Sequence, residues 1–118
     1  MKFIKHTIPF LAVLLLIGNS SYGQRSKANS LYNNLEYMRA IPLYLKLAKK
    51  GDKEAIHRLA NSYRLTKDYL QAEMWYSKAV ALEPVEPVIH YEYGEVLKTN
   101  GKYDEAKQQF QKFEAALP

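Results

Sequence analysis

The sequence predicts an all-α chain of antiparallel helix pairs stacked one on another, and three observations carry that prediction. At an offset of 34 residues the chain aligns with itself, Ala60 on Gly94, Tyr69 on Tyr103, Ala72 on Ala106, Tyr76 on Phe110 and Pro84 on Pro118. At an offset of 32 an earlier copy emerges, with Ala28, Tyr37, Ala40 and Tyr44 against Ala60, Tyr69, Ala72 and Tyr76. Within each copy small and apolar residues recur at helical spacing, as in Ile56, Leu59, Ala60 and Tyr63, then Tyr69, Ala72, Tyr76 and Ala79. Small residues let two helix backbones come close, and the aromatics fill the space beside them.

The elements follow in order. Met1, Lys2 and Lys5, the apolar run Ile8 to Ile17 and the small polar stretch Gly18 to Gln24 have the order of a secretory signal peptide. The run is ten residues, against the ~20 that a bilayer span requires. A leader over 1–23 is therefore expected, with no permanent membrane span after cleavage, followed by a domain over 24–118. Helices are predicted near 26–34, 38–50, 53–66, 69–82, 87–99 and 103–116, in repeats of about 24–51, 53–84 and 87–118. Lys49 and Lys50 before Gly51 suit a helix C-terminus, and Asp52 can cap the next helix with Glu54 in its first turn. Asn100-Gly101 makes a tight turn, Pro84 ends one helix, and Pro87 fits the first turn of another. Pro42 falls inside the second helix by this count, so a start at about Arg39 is preferred.

Composition narrows the function classes. With 47% hydrophobic and 25% charged residues this is an ordinary folded chain. It has no cysteine, which excludes disulfides, thiolate nucleophiles and an acylated cysteine. The formal charge of +5 falls to +3 without Lys2 and Lys5, and the bases are interleaved with acids, so no nucleic-acid partner is expected. No nucleophile, base and orienting group stand at motif spacing, which points away from an enzyme. His57 and His90 lack metal-ligand spacing, and neither a metal nor a cofactor is expected. His90 reads as a packed or hydrogen-bonded core residue, and His57 as either a solvated side chain or a groove contact. Asp104 with Glu105 reads as a helix N-terminal pair, Glu92 with Glu95 as a solvated face, and Trp75 as packing.

The period, with Leu59, Ala60, Tyr63, Ala72, Tyr76, Ala79 and Pro84 in this order, resembles the tetratricopeptide repeat. The last copy departs from it at His90, Leu97 and Phe113, and the first copy is shorter and degenerate. Ala28-Asn29-Ser30-Leu31-Tyr32, Tyr37-Met38-Arg39-Ala40-Ile41, Leu47-Ala48-Lys49-Lys50-Gly51 and Gly101-Lys102-Tyr103-Asp104-Glu105-Ala106 are similar to the N-terminal repeat segment of OmpA-family envelope proteins of Bacteroidota, including PorE-like components of type IX secretion. The β-propeller and peptidoglycan-binding domain of that family have no counterpart in these residues.

The resemblance implies an exported, periplasmic protein-binding module, a scaffold or accessory of outer-membrane or secretion machinery. It also implies a short superhelix in which the first helix of each repeat lines a concave groove. Helical spacing then nominates Asn29, Tyr32, Asn33, Glu54, His57, Asn61, Arg64, Val88, Tyr91, Glu95 and Lys98 for a protein or peptide partner in the cell envelope. Of the Lys/Asn/Arg clamp with which some members grip a C-terminal carboxylate, only Asn61 has a matching residue. Phe110, Phe113 and Leu117 form a last apolar face that a stack normally covers. A partner or a second copy is expected there, or else the chain is a shortened remnant that self-associates.

Overall fold

Residues 22–118 are described by the computed structural model, and they form six helices with no strand. The predicted leader lies outside the described residues except for Tyr22 and Gly23. The helices are α1 (22–33), α2 (Tyr37–Lys49), α3 (Lys53–Leu65), α4 (Tyr69–Ala79), α5 (Pro87–Thr99) and α6 (Tyr103–Ala116). From α2 onward each packs on the next, and α3 also touches α5. Side chains of α1, α3 and α5 bond to one another across the stack, as described below, so these three make an inner layer. α2, α4 and α6 make the outer one.

Small residues sit where the backbones cross. Ala28, Ala40, Ala60 and Ala72 are 0% exposed, and Ala106 is also buried. In the last pair Gly94 takes the place of Ala60. A Cβ there would lie 2.6 Å from Cε1 of Phe110, closer than any carbon contact tolerates. Tyr44, Leu59, Tyr76, Val96 and Leu97 fill the spaces between as the largest enclosed apolar side chains.

The turn inside each pair closes in one way. Leu35, Lys67 and Gly101 occupy equivalent positions with φ of 63°, 66° and 81°. At each, the left-handed residue donates to a carbonyl three residues back and the next residue to one five back, as in Leu35 N to Tyr32 O (3.0 Å) and Glu36 N to Leu31 O (2.8 Å). This pattern satisfies the last carbonyls of α1, α3 and α5. Between pairs, Gly51 turns the chain at φ 85°. Asp52 then caps α3, accepting from Ala55 N at 3.0 Å, as its spacing predicts. Asp52 also pairs with Arg25 of α1. Chiefly that bond, helped by the Ala55 N–H and opposed by burial, holds its carboxyl below the usual carboxylate range.

Three expected boundaries shift. α1 is already helical at residue 22, ahead of the expected start near 26. α4 stops at Ala79 instead of running to 82, because the approach to Pro84 tightens into turns, with Ala81 N on Lys78 O and Leu82 N on Ala79 O, both 3.2 Å. α2 starts at Tyr37, not Arg39, and Pro42 lies inside it. Ala40 N already donates to Glu36 O at 3.1 Å. Burial of Ala40, Tyr44, Leu47 and Ala48 fixes the helical register, while Pro42 is on the exposed side, where its ring and the carbonyl it leaves free are not enclosed by packing.

Candidate protein-binding face

Polar joints link the inner helices, and they repeat with the stack. At the first junction the Tyr44 hydroxyl donates to Asn29 Oδ1 at 2.6 Å, and Arg58 Nη1, from the following pair, donates to the same oxygen at 2.8 Å. One repeat later Tyr76 donates to Asn61 Oδ1 at 3.0 Å, and Glu92 stands where Arg58 stood. Arg64 Nε donates both to Asn61 Oδ1 and to the Tyr76 oxygen, each at 3.0 Å. His57 Nε2 meets Glu92 Oε2 at 2.8 Å, 3.4 Å from the Tyr76 hydroxyl. Asn61 Nδ2 donates to the Tyr32 hydroxyl at 2.5 Å, and the Tyr32 ring packs edge-on to Tyr44, centroids 6.0 Å apart, with the Arg58 guanidinium 5.2 Å from its centre, so the two junctions meet at Tyr32.

Burial and neighbouring charge shift the tyrosine and the arginine of the second junction. Burial, reinforced by Glu92, pushes the Tyr76 hydroxyl far above the ordinary tyrosine range, so it remains a donor. Burial alone would lower the Arg64 guanidinium, but Tyr76 and Glu92 outweigh it and the net shift is upward. At the third junction Glu95 and Phe110 replace the Asn and Tyr. Glu95 pairs with Lys98 at 3.1 Å, and Phe110 packs against Tyr91, ring centroids 5.7 Å apart.

The residues expected to line one groove fall into separate places. Asn29, Tyr32, His57, Asn61 and Arg64 form the bonded floor. Asn33 lies with Asn29, Ser30 and Arg25 along a recess of about 450 Å³ on α1. Glu54 is exposed at the rim, ion-paired with Arg58 at 3.1 Å. Val88 and Tyr91 are 43% and 45% exposed, and Tyr91 also packs on Phe113. Lys98 faces a smaller recess with Tyr103 and Phe110. Leu117 is 49% exposed.

A cleft of about 740 Å³ crosses the inner face, lined by Tyr32, Glu54 and His57 and by six residues that helical spacing did not nominate: Lys53, Arg58, Pro84, Val85, Glu86 and Ile89. Pro84, Val85 and Glu86 belong to the loop between α4 and α5, which a reading by helix faces passes over. Lys53 donates to the Pro84 carbonyl and holds that loop over the cleft. Two readings of acids and histidines also change. Glu92 is no solvated partner of Glu95: its side chain is 15% exposed and bound to His57, because position 92 faces the previous pair. His57 is held rather than solvated. His90 is hydrogen-bonded, its Nδ1 2.8 Å from Gln109 Oε1.

Among the described residues no group of three His, Cys, Asp or Glu is placed to hold a metal. No helix among them is long and apolar enough to cross a membrane. A search of curated proteins finds no match. Solved structures with the same fold include MamA labelled AMB-1, with 20% identity and a TM-score of 0.74 over 79% of this chain, and a point mutant of MamA, with 19% identity and a TM-score of 0.77 over 84% of this chain and 74% of that one. The chain spans about half (52%) of the first of these. The second TPR of Spaghetti (RPAP3), bound to the HSP90 peptide SRMEEVD, matches with 22% identity and a TM-score of 0.73 over 82% of this chain and 92% of that one. The tetratricopeptide repeat profile matches residues 53–86 and 88–114, just over half of the chain, and leaves out the shorter first pair. Six helices in stacked pairs, small residues at every crossing and that match make the chain a member of the tetratricopeptide repeat family.

Proposed function

We infer that the protein works by binding a peptide or protein segment across its inner face, as an exported periplasmic scaffold or accessory of outer-membrane or secretion machinery. One observation carries the binding reading: the cleft over Tyr32, Val85 and Ile89 rests on a floor whose polar groups already bond to one another. A surface fixed before the partner arrives loses little freedom on binding. The cleft joins an apolar base to a rim of Lys53, Glu54, Arg58 and Glu86, the mixture that a peptide side chain with polar flanks requires. The peptide held by the Spaghetti (RPAP3) repeat supports this use of the fold. The signal-peptide pattern of residues 1–23 supports export.

The test is crosslinking and co-purification of the C-terminally tagged chain from the envelope fraction of the producing cells, beside a variant carrying Glu54→Lys and Glu86→Lys. Both residues line the cleft and are exposed, so the variant keeps its helices. His57, Asn61 and Arg64 are unsuitable because they hold the floor together. Envelope proteins recovered with the wild type and lost with the variant support the reading. Recovery of the chain alone refutes it and favours self-association through Tyr91, Phe110, Phe113 and Leu117, whose aromatic members cluster at 5.3–5.7 Å on the last pair.

A further inference from the structure

The outer faces of α2 and α4 carry the same stripe. Met38, Pro42 and Lys46 stand four residues apart on α2, and Leu70, Met74 and Lys78 hold the equivalent places on α4, all six exposed. Four-residue steps place each trio along one side of its helix, and repeat equivalence turns both sides the same way. Met38 is 70% and Leu70 77% exposed. Leu35 extends the apolar end. It is 71% exposed in the left-handed turn position that Lys67 and Gly101 fill elsewhere. A leucine there bears the steric cost of that backbone as well as the cost of an apolar side chain in water, and at such exposure packing within the fold offsets neither.

Charge gives the face its sign. α2 contains no acid, and Lys46 and Lys49 close its last turn. The acid of α4, Glu73, is turned away from the stripe and paired with Lys102 at 2.6 Å. On α6 the two apolar places become Asp104 and Gln108, which confines the feature to the first two pairs. Protruding apolar side chains beside lysines suit a soft anionic layer that closes around them, whereas a folded partner would need a socket for each.

We propose that the outer face of α2 and α4 seats the protein peripherally on an anionic lipid surface. Leu35, Met38, Leu70 and Met74 enter the headgroup layer, and Lys46 and Lys78 reach the lipid phosphates. The inner face stays open to its partner, so this role stands independently of the binding reading above.

The experiment is partition of the full chain onto phosphatidylcholine vesicles with and without phosphatidylglycerol, together with quenching of Trp75 on α4, the single tryptophan of the sequence, by brominated lipid. Any insertion by the apolar run Ile8 to Ile17 occurs on both vesicle types, so the readout is the increment that phosphatidylglycerol adds. That increment is expected to fall with salt, to fall about 25-fold with Lys46→Gln plus Lys78→Gln, at roughly fivefold for each lysine, and to fall roughly tenfold with Met38→Gln plus Leu70→Gln. Leu35→Gly separates binding from folding: it relieves the left-handed backbone, so it is expected to raise thermal stability while weakening vesicle binding. No increment from phosphatidylglycerol, or an increment untouched by both paired variants, overturns the proposal. So does loss of co-purifying envelope proteins with vesicle binding unchanged, which would make this face a protein-docking surface.

Discussion

Removing one hydroxyl tests the joint between the second and third pairs. In Tyr76→Phe the ring, 0% exposed, keeps its packing, and the loss is confined to two 3.0 Å bonds, one to Asn61 and one from the charged Arg64, and a long 3.4 Å contact to Glu92 of the third pair. A neutral buried hydrogen bond contributes about 1 kcal/mol and one to a charged group about 1.5–3 kcal/mol. Arg64 keeps Asn61 as a partner, so the cost is set nearer the lower end, at about 2 kcal/mol. For a domain of this size each kcal/mol lowers Tm by roughly 4–8 °C, which places the variant roughly 10 °C below the wild type. Tyr44→Phe is the internal comparison. It loses the 2.6 Å bond to Asn29 and only a long 3.4 Å contact from Arg58, so about 1 kcal/mol is expected. Thermal unfolding followed by far-UV circular dichroism at one protein concentration reads both. A Tyr76→Phe variant within about 0.5 kcal/mol of wild type, the scatter of neutral surface changes, would mean that the network is decoration rather than structure.

Three further outcomes follow from packing, capping and backbone. Gly94→Ala drives a methyl group into the Phe110 ring and is expected to cost about 1–2 kcal/mol in urea unfolding, the overpacking penalty less the gain in helix propensity; adding Phe110→Leu should recover part of it. Pro42→Ala restores a hydrogen-bond donor within α2 and is expected to stabilise by about 1–3 kcal/mol in the same assay, and no gain would show that the proline is accommodated without cost. The depressed carboxyl of Asp52 stabilises the fold above its unfolded-state value and loses that effect as pH falls through its lower folded value. A pH series of Tm should therefore show an acid-side decline starting near about pH 4 that is shallower in Asp52→Asn, and identical slopes would contradict the assignment.

Much of this was legible in the sequence because a tandem fold writes each rule more than once. α5 and α6 begin and end where Pro87, Asn100 and Tyr103 predict, and the Asp52 cap is visible from its spacing to α3. What misled was local: Pro42 reads as a boundary only if its own helix is considered, whereas burial of Tyr44 and Ala48 against α3 fixes the register. The joints stayed hidden because their members come from three helices of two different pairs. A signal existed in the recurrence of Asn29 and Tyr44 as Asn61 and Tyr76 at the offset of 32. Helical spacing assigns the asparagines to groove surface and the tyrosines to packing, since neither residue type alone shows that the amide and the hydroxyl meet. The loop at 84–86 escapes such a reading because helix periodicity has nothing to say about segments between helices.

The joints also decide whether these helix pairs are exchangeable parts. Each of the first two joints holds an arginine, lent by the following pair in the first (Arg58) and supplied from within in the second (Arg64), where the following pair brings Glu92 instead. If the third pair were placed directly after the first, Glu92 would face Asn29 and Tyr44 without a cation. If the middle pair were duplicated, a second copy of Arg58 would be set beside Arg64, where like charges repel. A chain built by copying one unit has thus become a sentence with a fixed word order, and chimaeras that reshuffle its units should fold only when the residues equivalent to positions 58, 64 and 92 are exchanged together.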